Sequence, residues 1–339
     1  MLMRKKKVIG ILGAGAWGTA LAHLMSDNGH EVLIWAYEKE VVESINNQNE
    51  NIHFLPGIKL NERVKASNKI KDLKKGELIF ITTPSKFFRE CLLKLAQHQK
   101  ESTLYIICTK GIEQKSNLFV SEIFKKVFPK KNFALLSGPT FATEVANKCP
   151  SAVAVATKDK KLWNTISKII GSSYFRPYFS DDIVGVETGG SLKNIIAIAS
   201  GIAQGRNLGE NAQAALITRG LAEMMRFCNA RGGNLNTMMG LSGLGDLVLT
   251  CASTKSRNTS LGIKLGQGQA ADIILSSQKT ISEGYFSASS VIELAKKMKI
   301  EMPICEGVHN ILNNQANIDT IITDSVSYTH LTLPTSDLV

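Results

Sequence analysis

The sequence predicts an α/β protein in two parts: a mainly parallel sheet domain covered by helices over residues 1–185, then an all-helical domain over 186–325. Three observations carry this prediction. Six short apolar runs, "KVIGIL", "EVLIWA", "ELIFIT", "TLYIIC", "FALLSG" and "SAVAVA", read as strands, and helical segments such as "FFRECLLKLAQH" and "SNLFVSEIFKKVF" lie between them. Runs without polar alternation are strands buried on both faces, and their alternation with helices gives a parallel sheet. A glycine cluster, "GAGAWG", joins the first run to the first helix. After "YFRPYFS", near Ser180, strand signals fade and long 3.6-residue patterns take over, including "NAQAALITRGLAEMMRFCNA" and "SASSVIELAKKMK". Residues 326–339 continue no helical pattern; they read as a strand, a disordered tail or non-native sequence, and receive no function.

With 339 residues, 44% hydrophobic and 20% charged, the composition is that of a water-soluble globular chain. The net charge of +11 fits nucleic acid, a membrane surface or phosphorylated substrates. Distribution narrows the choice: lysines come in pairs such as Lys74-Lys75 and Lys125-Lys126, interleaved with acids and without aromatic partners, which argues against nucleic acid. Six cysteines show no C-x-x-C pair and no metal-ligand spacing with the histidines, so no metal site is expected and the thiols suit a reducing cytoplasm. No stretch is long and uncharged enough to insert into a membrane. The opening "MLMRKKKVIGILGAGAWGTALA" imitates a signal peptide, but a second pattern in the same residues accounts for it better.

That pattern is Gly13-x-Gly15-x-x-Gly18, directly after a strand and opening a helix, the context a dinucleotide fingerprint requires and the mark of a Rossmann-type sheet. Gly13 permits a tight turn, Gly15 lets the backbone approach a pyrophosphate, and Gly18 lets helix and strand pack closely. The anion then rests on the helix N-terminus. Strand two ends in Ala36-Tyr37, with Glu38 one step later, so neither the usual acid for an NAD ribose nor an arginine for a 2′-phosphate stands there. NAD and NADP both remain open.

The segment "SLKNIIAIASGIAQG" presents a separate puzzle. From Thr188 to Gly205 the only charged side chain is Lys193, and its helical neighbours Gly189, Gly190, Ile196, Ala197 and Ser200 cannot pair with it. Such a lysine either bends its stem out to water or is placed there for chemistry.

With these motifs, "CTKGIE" at 108–113, "SGPTFATEV" at 137–145, "ALITRGLAEM" at 215–224, "LSGLGDLVLTC" at 241–251 and "SRN" at 256–258, the chain from about residue 7 to 323 resembles the bacterial NAD(P)-dependent glycerol-3-phosphate dehydrogenases. The resemblance implies reversible hydride transfer between NAD(P)H and dihydroxyacetone phosphate, giving sn-glycerol 3-phosphate for phospholipid synthesis. It implies a cytoplasmic homodimer acting on a small molecule. It makes Lys193, Lys110 and Asp246 the catalytic set. Burial among apolar groups depresses a lysine pKa, and bringing it from about 10.4 to near 7 costs roughly 4 kcal/mol. An adjacent carboxylate at Asp246 opposes that effect, yet a charged lysine still donates a proton to the alkoxide during ketone reduction. The implied cofactor contacts are Gly13, Gly15, Ala16, Trp17, Gly18, Tyr37, Lys110, Ala142, Arg257, Ile281 and Glu283. The substrate contacts are Lys110, Gly138, Thr140, Lys193, Asp246 and the triplet Ser256, Arg257 and Asn258, which supplies a cap hydroxyl, a forked cation and an amide for a phosphate. Tyr37 departs from the arginine or histidine expected in the family. Two rival readings are a lysine-using hydroxyacid dehydrogenase on the same scaffold and a non-catalytic protein, either a dinucleotide sensor or a basic nucleic-acid binder; the non-catalytic protein would have no use for Lys193 and Asp246 together.

Overall fold

The computed structural model describes residues 6–277, 282–314 and 316–327. The chain forms two compact units, one made of residues up to Lys110 with Leu118–Glu187, the other of Gly111–Asn117 with Thr188 onward.

In the first unit, strands β1 (Val8–Leu12), β2 (Glu31–Trp35), β3 (Val64–Ser67), β4 (Leu78–Ile81), β5 (Leu104–Ile107), β6 (Phe133–Ser137), β7 (Ser151–Ala156) and β8 (Phe175–Ser180) form one sheet. Their order is β3-β2-β1-β4-β5-β6-β7-β8. Neighbours run parallel, with Gly10 opposite both Leu33 and Ile79, except that β7 is antiparallel to β6, with Leu136 opposite Val155. The sheet is mainly parallel, as the apolar runs indicate. β3 and β8, at the two edges, are absent from those runs for physical reasons. "VKAS" buries only Val64 and Ala66, and "FRPYFS" exposes Arg176, Tyr178 and Phe179 and carries Pro177, which a central strand would not tolerate.

Helices α1 (Ala16–Asp27), α2 (Lys39–Gln48), α3 (Ser85–Ala96), α4 (Val120–Val127), α5 (Ala142–Ala146) and α6 (Lys160–Ile170) cover both faces. Alternate strand side chains point to opposite sides, so two cores result. Ile9, Ile11 and Phe80 pack with Leu21 and Leu24 of α1 and Ile166 of α6; Leu12, Ile79 and Ile81 pack with Phe88 and Leu92 of α3 and Phe124 of α4. Strand order reverses between β1 and β4, and in open α/β sheets ligands bind outside the carboxyl ends of the strands at such a reversal.

The second unit is helical. It contains most of α7 (Ile183–Gly205), the unit boundary falling inside that helix, followed by α8 (Gly209–Ala230), α9 (Leu235–Met238), a π turn at Leu241–Gly245, α10 (Asp246–Cys251) and α11 (Arg257–Gly266). Helices α12 (Ala271–Ser277), α13 (Glu283–Met298), α14 (Pro303–Asn314) and α15 (Ile318–Ser327) complete it. From Val186 to Ile202 nearly every side chain of α7 is buried, the signature of a helix surrounded by others rather than lying on a surface. α11 reaches α7 backbone to backbone: a Cβ on Gly201 would overlap the carbonyl of Thr259, and one on Gly262 would overlap that of Ile198. The segment Gly111–Asn117 groups with these helices, a crossing that a single cut near residue 185 does not capture. Gly111 donates its N–H to Ser191 Oγ at 3.2 Å, and Asn117 Nδ2 donates to Glu293 Oε2 at 2.6 Å. Val326 and Ser327, read as the start of the tail, instead end α15, and residues 328–339 lie outside the described residues.

Candidate active site

The sheet unit builds a cradle at the β1–α1 junction. Gly13 has φ +121°, a conformation that favours glycine, and a Cβ there would press on Thr82 Oγ1 at 2.9 Å. A Cβ on Gly18 would overlap the carbonyl oxygen of Gly13, so only glycine lets α1 leave β1 at this distance. Gly15, the N-cap of α1, differs from both. A Cβ there would meet nothing within 4 Å, so its backbone faces open space. No acidic side chain occupies the first turn of α1 and no side chain caps it, which leaves backbone N–H groups at the positive end of the helix dipole for an anion. Thr82 Oγ1 donates to the Gly13 carbonyl at 2.8 Å and fixes the turn. The geometry fits a dinucleotide pyrophosphate. Ala16 and the half-buried Trp17 begin α1, and Trp17 packs against the core. Tyr37, just past β2, is 80% exposed.

The other sheet residues lie past the carboxyl ends of β5 and β6. Lys110 follows β5 by three residues and is half-buried. Thr109, beside it, donates Oγ1 to the Thr83 carbonyl at 2.7 Å and ties that loop to the one after β4. Gly138 closes β6 with φ +153°, and a Cβ there would stand 3.0 Å from the Ala152 carbonyl. Thr140 Oγ1 donates to the Gly138 carbonyl at 3.3 Å, and Ala142 starts α5.

In the helical unit the lysine puzzle is resolved. Lys193 does not turn to water: it is 7% exposed, and its Nζ donates to Asp246 Oδ1 and, at 2.8 Å, to Thr250 Oγ1. The partner that α7 cannot supply comes from α10. Asp246 is the first residue of that helix and Thr250 lies four positions later, so both share one face. Thr250 Oγ1 in turn donates to the Asp246 carbonyl at 2.6 Å, leaving its oxygen lone pairs to the ammonium. Asp246 is 1% exposed, and the adjacent lysine favours its ionised form. Burial opposes the charge on Lys193, and the direct carboxylate contact favours it. The neighbouring Cys251 thiol is pushed up to about 12, chiefly by burial, and stays neutral.

The Ser-Arg-Asn triplet opens α11. Ser256 Oγ is the N-cap, accepting from Thr259 N at 3.2 Å, which leaves its hydroxyl hydrogen for another acceptor. Arg257 is exposed to solvent, within electrostatic range of the Glu283 carboxylate. Asn258 is buried and cross-links three helices: its Nδ2 donates to Asn194 Oδ1 at 2.9 Å, and its Oδ1 accepts from Gly284 N at 3.0 Å. Glu283 begins α13, next to that link. Ile281 lies outside the described residues.

Thr250 and Asn194 were not singled out from the sequence. The i, i+4 spacing from Asp246 could have marked Thr250. Asn194 had no local signal, because its partner is far along the chain. Among the described residues no cluster of histidine, cysteine or carboxylate is placed to hold a metal ion, and no helix is long and apolar enough to cross a membrane.

The family model for the NAD-dependent glycerol-3-phosphate dehydrogenase N-terminus matches residues 8–163, and the one for the C-terminus of the same enzyme matches residues 182–323. Glycerol-3-phosphate dehydrogenase [NAD(P)+] of Parvibaculum lavamentivorans is 43% identical over 314 residues, covering 93% of this chain and 94% of that one. The corresponding protein of Maricaulis maris is 42% identical over 320 residues, covering 94% and 96%. The crystal structure of the Coxiella burnetii glycerol-3-phosphate dehydrogenase superposes with a TM-score of 0.92 at 37% identity, covering 95% of this chain and 99% of that one. A cofactor cradle on the sheet, a buried lysine–aspartate pair on the helices and a match over nearly the whole length converge: the chain belongs to the NAD-dependent glycerol-3-phosphate dehydrogenase family.

Proposed function

We propose that this protein is an NAD(P)-dependent glycerol-3-phosphate dehydrogenase, an oxidoreductase that interconverts dihydroxyacetone phosphate and sn-glycerol 3-phosphate and so supplies glycerophospholipid synthesis. The observation that carries the chemical part of the reading is the buried Lys193 ammonium held by Asp246 and Thr250. Bound NAD(P)H supplies the hydride. The chain's own residues bind and orient the reactants and move a proton. Gly13, Gly15 and Gly18 with the α1 N-terminus would hold the pyrophosphate, with Trp17, Ala142 and Glu283 as further cofactor contacts. Ser256, Arg257 and Asn258 take the substrate phosphate, with Lys110, Gly138 and Thr140 against the rest of the substrate. Lys193 gives its proton to the developing alkoxide in reduction and, as the free amine, takes it back in oxidation. Asp246 keeps the ammonium charged until that transfer.

The test is direct. Purified protein mixed with dihydroxyacetone phosphate oxidises NADH or NADPH; turnover of a 3-hydroxyacid in preference to glycerol 3-phosphate would replace this reading with the related hydroxyacid dehydrogenase activity. Cofactor choice rests on the β2 terminus, where Tyr37 offers neither an acid nor a guanidinium. Tyr37→Arg is expected to raise kcat/KM for NADPH about tenfold through a charge-assisted contact to the 2′-phosphate, with kcat/KM for NADH nearly constant. Steady-state kinetics with each cofactor check this. A homodimer and a cytoplasmic location complete the proposal. The first rests on the family alone and falls to a one-chain mass by light scattering; the second is supported by six free cysteines, five of them buried.

A further inference from the structure

Helix α10 carries Asp246 and Thr250, two partners of Lys193; it continues directly from the π turn Leu241–Gly245 at its start and is held by side chains at its finish. Its last carbonyls, which no helical N–H reaches, are taken up by side chains of three other helices. Thr259 Oγ1 of α11 donates to the Thr250 carbonyl at 2.6 Å. Three donors converge on the Cys251 carbonyl: Gln204 Nε2 at 3.1 Å, Ser200 Oγ at 3.2 Å and Gln213 Nε2 at 3.2 Å. Gln213 comes from α8, and its amide also reaches Ser200 Oγ at 3.2 Å, so it fastens α8, α7 and α10 at one point. Ser200 follows Lys193 by two helical turns and lies on the same face of α7. The helix α10 is therefore tied to that face at both ends, by Lys193 at its start and by this amide cluster at its finish.

We infer that Gln213, acting with Gln204 through the Cys251 carbonyl, is a positioning residue for the proton-transfer group: it holds α10 at the height where Asp246 and Thr250 meet Lys193. The inference rests on the role proposed for Lys193. Release of the Cys251 carbonyl lets α10 slide or rotate. The carboxylate that keeps Lys193 charged then withdraws, and misplacement of this kind is costly for a step that needs fixed geometry. Asp246 of α10 is in direct contact with Lys193, and the Cys251 thiol beside it is neutral.

The test uses the full-length enzyme and shape-preserving substitutions without a donor, Gln213→Met and the double variant Gln204→Met/Gln213→Met. Reductive kcat is expected to fall about 10- to 100-fold, KM for NAD(P)H to stay within about twofold, and melting temperature to change by no more than ~2 °C. Reduction requires the ammonium, and a weaker Asp246 contact lowers the lysine pKa, so the alkaline fall of kcat moves to lower pH. Wild-type kcat with an unmoved alkaline limb overturns the inference. A kcat loss accompanied by a lower melting temperature and an unmoved limb overturns it as well, because that is the result of a purely structural bond. Lys193→Ala, measured alongside, separates the two levels: if it stays active the assigned role of Lys193 fails, and if it is inactive while the glutamine variants behave as wild type, only the positioning role fails.

Discussion

Replacing Lys193 with alanine should lower kcat for dihydroxyacetone phosphate reduction by about 10³-fold or more while leaving NAD(P)H affinity within about twofold. On the role proposed for Lys193, two effects disappear together. The first is proton donation to the alkoxide, and the second is the positive charge that stabilises that oxygen as electron density arrives. The cofactor cradle lies on α1 and β1, so the loss should appear in kcat and leave cofactor titrations by fluorescence unchanged. The substitution also leaves Asp246, 1% exposed, as a buried carboxylate without its cation. Removing one partner of a buried pair costs about 3–5 kcal/mol, so the variant should also melt lower. Lys193→Ala/Asp246→Asn removes the stranded charge. It should regain much of the stability and none of the activity, and that pattern separates catalysis from folding. If Lys193→Ala turns over at more than a tenth of the wild-type rate, the proton comes from another group.

Much of this site is legible in the sequence, and the parts that are not share a physical cause. The fingerprint was legible because its three glycines answer local demands: a positive φ at Gly13, open backbone at Gly15, and contact between Gly18 and the Gly13 carbonyl. The anomaly of Lys193 was legible as well, since one charge in an apolar helix is visible in sequence. What resolves it was less so. Asp246 entered through the resemblance, and Thr250, Gln204 and Gln213 are ordinary polar residues until the fold brings them to one short helix. Asn258 shows the same limit. Its triplet suggested a phosphate contact, whereas the fold also uses its amide to join Asn194 to Gly284, leaving the second Nδ2 hydrogen for a ligand. The edge strands β3 and β8 escaped for the opposite reason. A strand with one neighbour buries too little to produce a continuous apolar run.

The cofactor cradle allows a sharper experiment than its motif suggests, because two of its glycines should respond differently to the same added methyl group. At Gly18 the new Cβ overlaps the Gly13 carbonyl, so α1 must move away from β1. Gly18→Ala should therefore cost about 1–3 kcal/mol of stability in denaturant unfolding and weaken cofactor binding as the cradle opens. At Gly15 the methyl enters open space, and with φ −65° the backbone accommodates alanine without strain. Loss of the glycine N-cap costs at most ~1 kcal/mol, so Gly15→Ala should fold almost as well as wild type. Its methyl group stands where the pyrophosphate must approach the helix N-terminus. The Kd for NADH should rise at least about tenfold, and the KM for dihydroxyacetone phosphate at saturating cofactor should stay close to wild type. Calorimetric titration with NADH and a urea melt on the same samples decide the matter. Unchanged NADH affinity in Gly15→Ala would place the pyrophosphate elsewhere on the sheet and remove the basis for reading the β1–α1 junction as the cofactor site.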